Sequence, residues 1–183
     1  MLEPWMVTGF TDGEGCFALY VRKDTQKRTG YSSVYYRWQV DFCYNLRGDD
    51  MSILQEIRDY FACGVCSLSH AKNEKHNYGQ AQFHCVVAGD LIEKVIPHFE
   101  RYPLQSKKKS DFNLWKRAVE IVHTVKERKK DKIGQKVEYL PDEQQELINI
   151  CNSLKNRVTG DMLKMKRINY NSQGTKERED LLP

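Results

Sequence analysis

The sequence predicts an α+β domain in which a four-stranded antiparallel sheet is covered by helices on one face and left open on the other. Three observations lead there. Two runs rich in aromatic and β-branched residues follow a short N-terminal helical segment. A helix-patterned segment separates them from two further strand-like runs, and helical segments dominate the rest. Along three of the four runs, apolar residues alternate with polar ones, the pattern of a sheet buried on one side. The chain has 183 residues, 40% hydrophobic and 30% charged, enough for one domain with a sizeable core.

In order, residues 4–13 form a short helix that ends at Gly13-Glu14-Gly15. Cys16–Asp24 and Val34–Phe42 are predicted strands, joined by a polar loop, Thr25–Ser33. On the first strand Phe17, Leu19 and Val21 share a face, opposite Ala18, Tyr20, Arg22 and Asp24. On the second, Tyr36, Trp38 and Val40 oppose Tyr35, Arg37, Gln39 and Asp41. Met51–Phe61 carries Ile53, Leu54, Ile57, Tyr60 and Phe61 at helical spacing, with Asp49 or Asp50 placed to cap it. Strands are expected near Val65–His70 and Gln80–Ala88; on the latter Ala81, Phe83, Cys85 and Val87 oppose Gln80, Gln82 and His84. Asp90–Phe99 is a short helix. A longer one starts at Ser110 and reaches about Val125, with Phe112, Trp115, Val119 and Val122 as its apolar stripe. Pro141 opens a last helix, with Asp142 and Glu143 suited to its positive end. The predicted organisation is one domain, residues 1–156, and a C-terminal extension, residues 157–183, partly helical and then polar.

No apolar run of about 18 residues exists, so no transmembrane helix is predicted, and the N-terminus lacks the pattern of a secretory signal. The formal charge is +4, unevenly spread. Arg101 to Lys136 holds twelve Lys/Arg against four Asp/Glu, or +8, which leaves −4 for the remainder. Such a stretch suits a polyanion, and it also describes a solvated helix face. The six cysteines are expected as thiols. Cys63-x-x-Cys66, with His70, His84 and Cys85 beyond, could be taken for a zinc set, but no second paired motif follows and buried apolar-like cysteines are the favoured explanation.

The segment Trp5-Met6-Val7-Thr8-Gly9-Phe10-Thr11-Asp12-Gly13-Glu14-Gly15-Cys16-Phe17 resembles the signature of the LAGLIDADG homing endonucleases. Val7–Gly15 matches the nine-residue motif, with Thr8 at the usual alanine and Glu14 at the final acidic position, and a strand follows at once. The order of elements matches to about residue 155. Elementary chemistry gives the same residues reasons. Gly9 and Gly13 lie four apart on one helix face, where glycines let two helix backbones approach. A twofold axis along that face would bring two Glu14 carboxylates together, an arrangement that calls for a hard divalent cation. Taken alone, Gly13-Glu14-Gly15 is also what a tight turn after a helix looks like.

The resemblance implies a homodimer, because members with two motifs are about twice this length. It implies Glu14 and the carbonyl of Gly13 as metal ligands, with Mg2+ as cofactor and Mn2+ or Ca2+ as possible substitutes, Ca2+ non-productive. Tyr102-Pro103-Leu104-Gln105-Ser106-Lys107-Lys108-Lys109 matches a second family segment, which implies Lys107 beside the scissile phosphate and Lys108 and Lys109 on backbone phosphates. A family glutamine at the end of the second strand is replaced by Phe42, with Gln39 three residues earlier, and Arg47 takes the place of a basic residue after it, across a loop Tyr44–Asp50 that looks long. Gln39 and Arg47 are therefore the remaining candidate catalytic residues.

The expected groove contacts with double-stranded DNA are Ala18, Tyr20, Arg22, Asp24, Tyr35, Arg37, Gln39, Asp41, Ser67, Ser69, Gln80, Gln82 and His84, with Lys23, Lys72, Lys109 and Lys116 on phosphates. The expected dimer contacts are Trp5, Met6, Gly9, Phe10, Asp12 and Gly13. The implied activity is cleavage of both strands of a long, near-palindromic site to leave short 3′ overhangs, in service of intron mobility. A maturase that binds its host intron RNA, or a non-cleaving DNA-binding protein, is the alternative on the same fold. The implied setting is an organelle or a microbial cytoplasm.

Overall fold

The computed structural model describes residues 2–28, 31–69, 79–130 and 138–154. The order is helix α1 (Pro4–Glu14), strands β1 (Gly15–Arg28) and β2 (Tyr31–Arg47), a 3-10 turn (Gly48–Asp50), helix α2 (Met51–Phe61), and strands β3 (Val65–Ser69) and β4 (Gln80–Cys85). Helix α3 then runs through three joined pieces, Ala88–Asp90, a π segment Leu91–Val95, and Ile96–Arg101. Helices α4 (Lys108–Lys130) and α5 (Pro141–Ser153) complete the described chain. The π segment precedes Pro97, which lacks an N–H and whose ring crowds the preceding turn, so a widened turn there relieves both defects. No helix among the described residues is long and apolar enough to cross a membrane.

The sheet is four-stranded and antiparallel, as predicted, and its order β1-β2-β4-β3 sets two hairpins side by side. Phe17, Leu19 and Val21 on β1, Trp38, Val40, Phe42 and Tyr44 on β2, and Ala81, Phe83 and Cys85 on β4 are buried under the helices. Phe17 stacks on Phe42 at 5.3 Å and meets Trp115 of α4 at 5.0 Å between ring centroids. Helix α5 covers the outer part of the hairpin: the Trp38 indole donates to Gln144 at 2.9 Å, and the Cys151 thiol donates to the Leu19 carbonyl at 3.2 Å.

The strands differ from expectation in length. β1 and β2 continue into the segment expected as the polar loop Thr25–Ser33, and β2 continues past Phe42 to Arg47. Tyr44 explains the second extension, since it keeps the inward parity of Phe42 and is fully buried. The long loop expected at Tyr44–Asp50 is thus strand followed by one tight turn. β4 stops at Cys85, and Val87 is exposed rather than inward. The boundary near residue 156 and the extension 157–183 lie outside the described residues, as do His70 and Lys72.

The cysteines separate by face and partner. Cys63 and Cys85 sit together in the core at 3.5 Å, while the Cys66 thiol donates to the Leu54 carbonyl. His84 lies on the opposite sheet face from Cys85, so Cys63, Cys66 and His84 do not converge.

Helix α1 is tied to α3 through His98, which is buried. The Thr8 hydroxyl donates to the Tyr102 carbonyl at 2.9 Å, so its 3.2 Å contact with His98 Nε2 uses the ring N–H as donor. Nδ1 then accepts from the Tyr60 hydroxyl at 3.0 Å. The neutral ring is fully satisfied, and burial lowers the His98 pKa to about 4. Because the folded value lies below the ordinary 6.5, the unfolded chain binds the extra proton first, and stability falls as pH drops from about 6.5 to 4. We expect this one group to contribute about 2–3 kcal/mol of that fall; urea melts of the wild type and His98→Gln across this window measure it, and an equal slope in both refutes it.

Candidate active site and nucleic-acid face

The site is built where α1 passes directly into β1. Gly15 is the hinge: a Cβ there would lie 2.6 Å from Thr11 Cγ2 and 3.0 Å from the Thr11 carbonyl. The Thr11 hydroxyl donates to Val7 O at 2.7 Å, and the Tyr44 hydroxyl, 2.6 Å away, donates to it. Burial pushes the Tyr44 phenol up, so it remains a neutral donor. This buried pair fixes the last turn of α1 over β2 and leaves Glu14 exposed at its C-terminal end.

A helix C-terminus carries unpaired carbonyls and partial negative charge. Here it receives a cation from its own chain. Lys108 Nζ donates to the carbonyls of Thr11 and Gly13, each at 3.0 Å. This corrects the expected assignment of Lys107: it is Lys108, expected on a phosphate, whose ammonium reaches the motif, while Lys107 stays exposed in the turn before α4. A run of three lysines holds no signal for which one faces inward; the start of α4 decides it.

Asp12 positions that start. Its carboxylate accepts from Gln105 N at 2.8 Å, Ser106 N at 3.2 Å and Ser106 Oγ at 2.6 Å, and Ser106 Oγ in turn accepts from Lys108 N at 3.1 Å. Partial burial opposes ionisation, but the bonds from Ser106 and Gln105 and the nearby Lys108 charge hold its carboxyl below the usual 3.8. Asp12 is therefore engaged within the chain, not at the outer face expected for a dimer contact. Phe10 likewise turns inward, 5.6 Å from the Tyr44 ring. Trp5 and Met6 remain exposed, at 55% and 42%. Gly9 and Gly13 face open space, with nothing within 4 Å of an added Cβ.

Beside Glu14 lies an open cleft of about 380 Å³, lined by Phe10, Glu14, Asn45, Leu46, Arg47, Asp50 and Ile53. Arg47 lines the same cleft as Glu14, and its guanidinium is held by Asp49 through two 2.6 Å bonds. Phe42 is buried in the core, so the strand-end position next to the site belongs to Asn45–Arg47. The predicted strand end at Phe42 leaves out Asn45, although the alternation Asp41, Cys43, Asn45 continues through it. Gln39 is corrected as a catalytic candidate. It pairs with Tyr20, five residues and about 17 Å up the strand from Tyr44. It is 4% exposed, with Nε2 donating to the carbonyls of Val40 and Val86.

The open sheet face carries most of the expected groove residues. Arg22 and Arg37 flank Asp24 and bridge to it, Tyr35 is exposed, and Ala18 and Tyr20 are half-buried. Ser67, Ser69 and Gln80 are exposed, and Gln82 bonds Asn45 at 2.9 Å. Asp41 is corrected: it is 2% exposed and accepts from His84 Nδ1 at 2.7 Å. Lys23 and Lys109 are exposed. Lys116 bridges Glu100 within the helix layer. The basic stretch is partly neutralised in the same way, since Arg117 pairs with Glu146 at 2.7 Å and Arg128 with Glu143.

The model of the family described as LAGLIDADG endonuclease matches residues 7–119. The chain belongs to that family. A protein encoded in ND4 intron 1 of Podospora anserina is 35% identical over 123 residues, 66% of this chain and 24% of that protein. This chain thus spans about a quarter of that relative's length. Among solved structures, the homing endonuclease I-TnaI matches with a TM-score of 0.61 and 25% identity, covering 92% of this chain and 97% of that one. I-GzeII, a LAGLIDADG homing endonuclease in complex with its DNA target, matches with a TM-score of 0.63 and 26% identity over 100% of this chain and 53% of that one.

The Asp12–Ser106 bonds are expected to hold α4 in register with the motif. Asp12→Ala should cost about 1–2 kcal/mol at neutral pH. Since the Asp12 pKa is lowered, this contribution is present above the ordinary carboxylate value and lost as pH falls through the folded one. Chemical denaturation at pH 7 and pH 3 should therefore show the variant's deficit shrinking in acid; a deficit unchanged with pH would contradict the assignment.

Proposed function

We propose that this chain is a homing endonuclease subunit that pairs with a second copy through α1 and hydrolyses both strands of a long, near-palindromic DNA site. The observation that carries the reading is the exposed Glu14 carboxylate at the C-terminal end of α1, with Lys108 docked on the Gly13 carbonyl, at the border of an open polar sheet face. The DNA complex of I-GzeII and the intron location of the Podospora relative support DNA as substrate and an intron-borne, organellar gene. The match to nearly the whole I-TnaI chain supports a one-motif subunit, and the open glycine face supports its pairing.

Glu14 and the Gly13 carbonyl, which has a second lone pair besides the one Lys108 engages, are hard oxygen donors at the negative end of a helix, a set that fits Mg2+. When bound, Mg2+ would neutralise phosphate charge and acidify a water for in-line attack. The chain's own residues do the rest. Lys108 places a fixed positive charge where a scissile phosphate would otherwise meet helix carbonyls and Glu14. Arg47 and Asn45 border the same cleft and offer donors to phosphate oxygens or water. The placement of Arg22, Arg37, Gln80, Gln82 and the serines of β3 on the one open sheet face supplies donors and acceptors for base edges and backbone. Short 3′ overhangs belong to this proposal.

Cleavage of a randomised near-palindromic library with Mg2+ tests the activity. Glu14→Gln should bind but lose about 10³-fold or more in cutting rate, and Lys108→Met about 10²-fold. Specific binding by the wild type without any cutting would overturn the nuclease reading. Pairing is tested separately: Gly9→Leu should melt no lower than the wild-type monomer, since leucine is the better helix former, yet sediment as a monomer. A dimer that survives this substitution would place the interface elsewhere.

A further inference from the structure

A second cluster of metal-type donors lies on the open sheet face, outside the Glu14 cleft. Cys43 on β2 is opposite Cys16 on β1 and His84 on β4, so the three form one row across three strands. Asp41 is two residues along β2 on the same face and bonds His84 at 2.7 Å. One donor atom each of Asp41, Cys43 and His84 lies within 4.8 Å of the others. The Cys16 thiol is within hydrogen-bond reach of Cys43. Asp41 is 2% exposed; His84 and the Tyr20 hydroxyl both bond its carboxylate, yet its Oδ1 has no hydrogen-bond partner. A buried carboxylate oxygen left unpaired is costly, and a cation is one of the few groups that satisfies it.

We propose that this face holds one Zn2+-class ion per chain, bound by Cys43, His84 and Asp41 with Cys16 as fourth ligand. Zinc takes thiolate, imidazole and carboxylate donors in a tetrahedron with bonds of about 2.0–2.3 Å, which sets its ligands about 3.5 Å apart. The cluster requires only side-chain adjustment to reach that spacing, because the strand register already opposes the donors. The chemistry also separates it from the Glu14 site: thiolates select a borderline-soft ion over Mg2+, whereas an oxygen-only site does the reverse. A bound ion would cross-link β1, β2 and β4 immediately beyond the α1–β1 junction and would dock the buried Asp41 charge. The inference does not rest on nuclease activity.

The test uses the reduced, metal-free full chain titrated with Co2+. One equivalent should produce the intense visible bands of tetrahedral cobalt together with thiolate charge-transfer absorption. These should persist in excess Mg2+ and in Glu14→Gln, and Cys43→Ala and His84→Ala should each weaken Co2+ binding by about a hundredfold or more. Absence of thiolate absorption in the wild type overturns the proposal. So does absorption that both variants keep, which would assign it to Cys63 and Cys85. Alkylation of Cys16 in the wild type, mapped by mass spectrometry, requires no variant to fold. One equivalent of Zn2+ should slow it, and an unchanged rate overturns the four-ligand site.

Discussion

Helix α1 passes into the sheet through a single residue, Gly15, at a point where any side chain would collide with Thr11. That close approach allows the buried Tyr44 hydroxyl to reach Thr11 from β2. With the last helical turn held from below by Tyr44 and from the side by Asp12 and Ser106, Glu14 has one place to be. The rest of the site is arranged around it. β2 runs on past Phe42 because Tyr44 must complete the core beneath α1, and that extension delivers Asn45 and Arg47 to the cleft. Helix α4 begins at Lys108 because Asp12 holds the preceding loop, and Lys108 then reaches back to the helix carbonyls.

Electrostatically, the junction opposes two helix ends of unlike sign. The C-terminal carbonyls of α1 face the N-terminal region of α4, with Lys108 between them. The arrangement lowers the cost of a carboxylate at a helix C-terminus, where the dipole disfavours it. Elsewhere the positive charge seen along the sequence is tempered. Lys116, Arg117 and Arg128 are matched by Glu100, Glu146 and Glu143. The first pair ties α3 to α4 and the other two help seat α5 on α4, so part of an apparent polyanion-binding stretch serves helix packing. The guanidinium groups on the open sheet face, Arg22 and Arg37, are held apart by Asp24, which orders them without neutralising both.

The sheet divides the molecule into two chemistries by parity alone. One face is a continuous aromatic and aliphatic core reaching from Phe17 to Trp115. The other is polar and accessible at its edges, but around Asp41 and Gln39 it closes over. A polar side chain on the outward parity of a strand is thus not necessarily free. Gln39 is spent on the carbonyls of Val40 and Val86, and Asp41 on His84.

The local pattern determined a good deal of this protein. Alternation assigned the inward and outward faces of β1, β2 and β4 correctly, helical spacing placed α2 and α5, and the spacing of glycines and acids in Val7–Gly15 identified the family and singled out Glu14. These features are short-range: each depends on the period of a strand, the period of a helix, or the steric demand at one turn. What only the tertiary structure decided is where strands stop, which lysine of three turns inward, and which polar residues are already occupied. β2 ends at Arg47 because α1 needs Tyr44. Lys108 is chosen because Asp12 captures Ser106 from more than ninety residues away. Cys43 joins His84 and Cys16, instead of the nearby Cys63 or Cys66, because strand register sets which side chains meet, and register comes from closing the whole sheet under its helices.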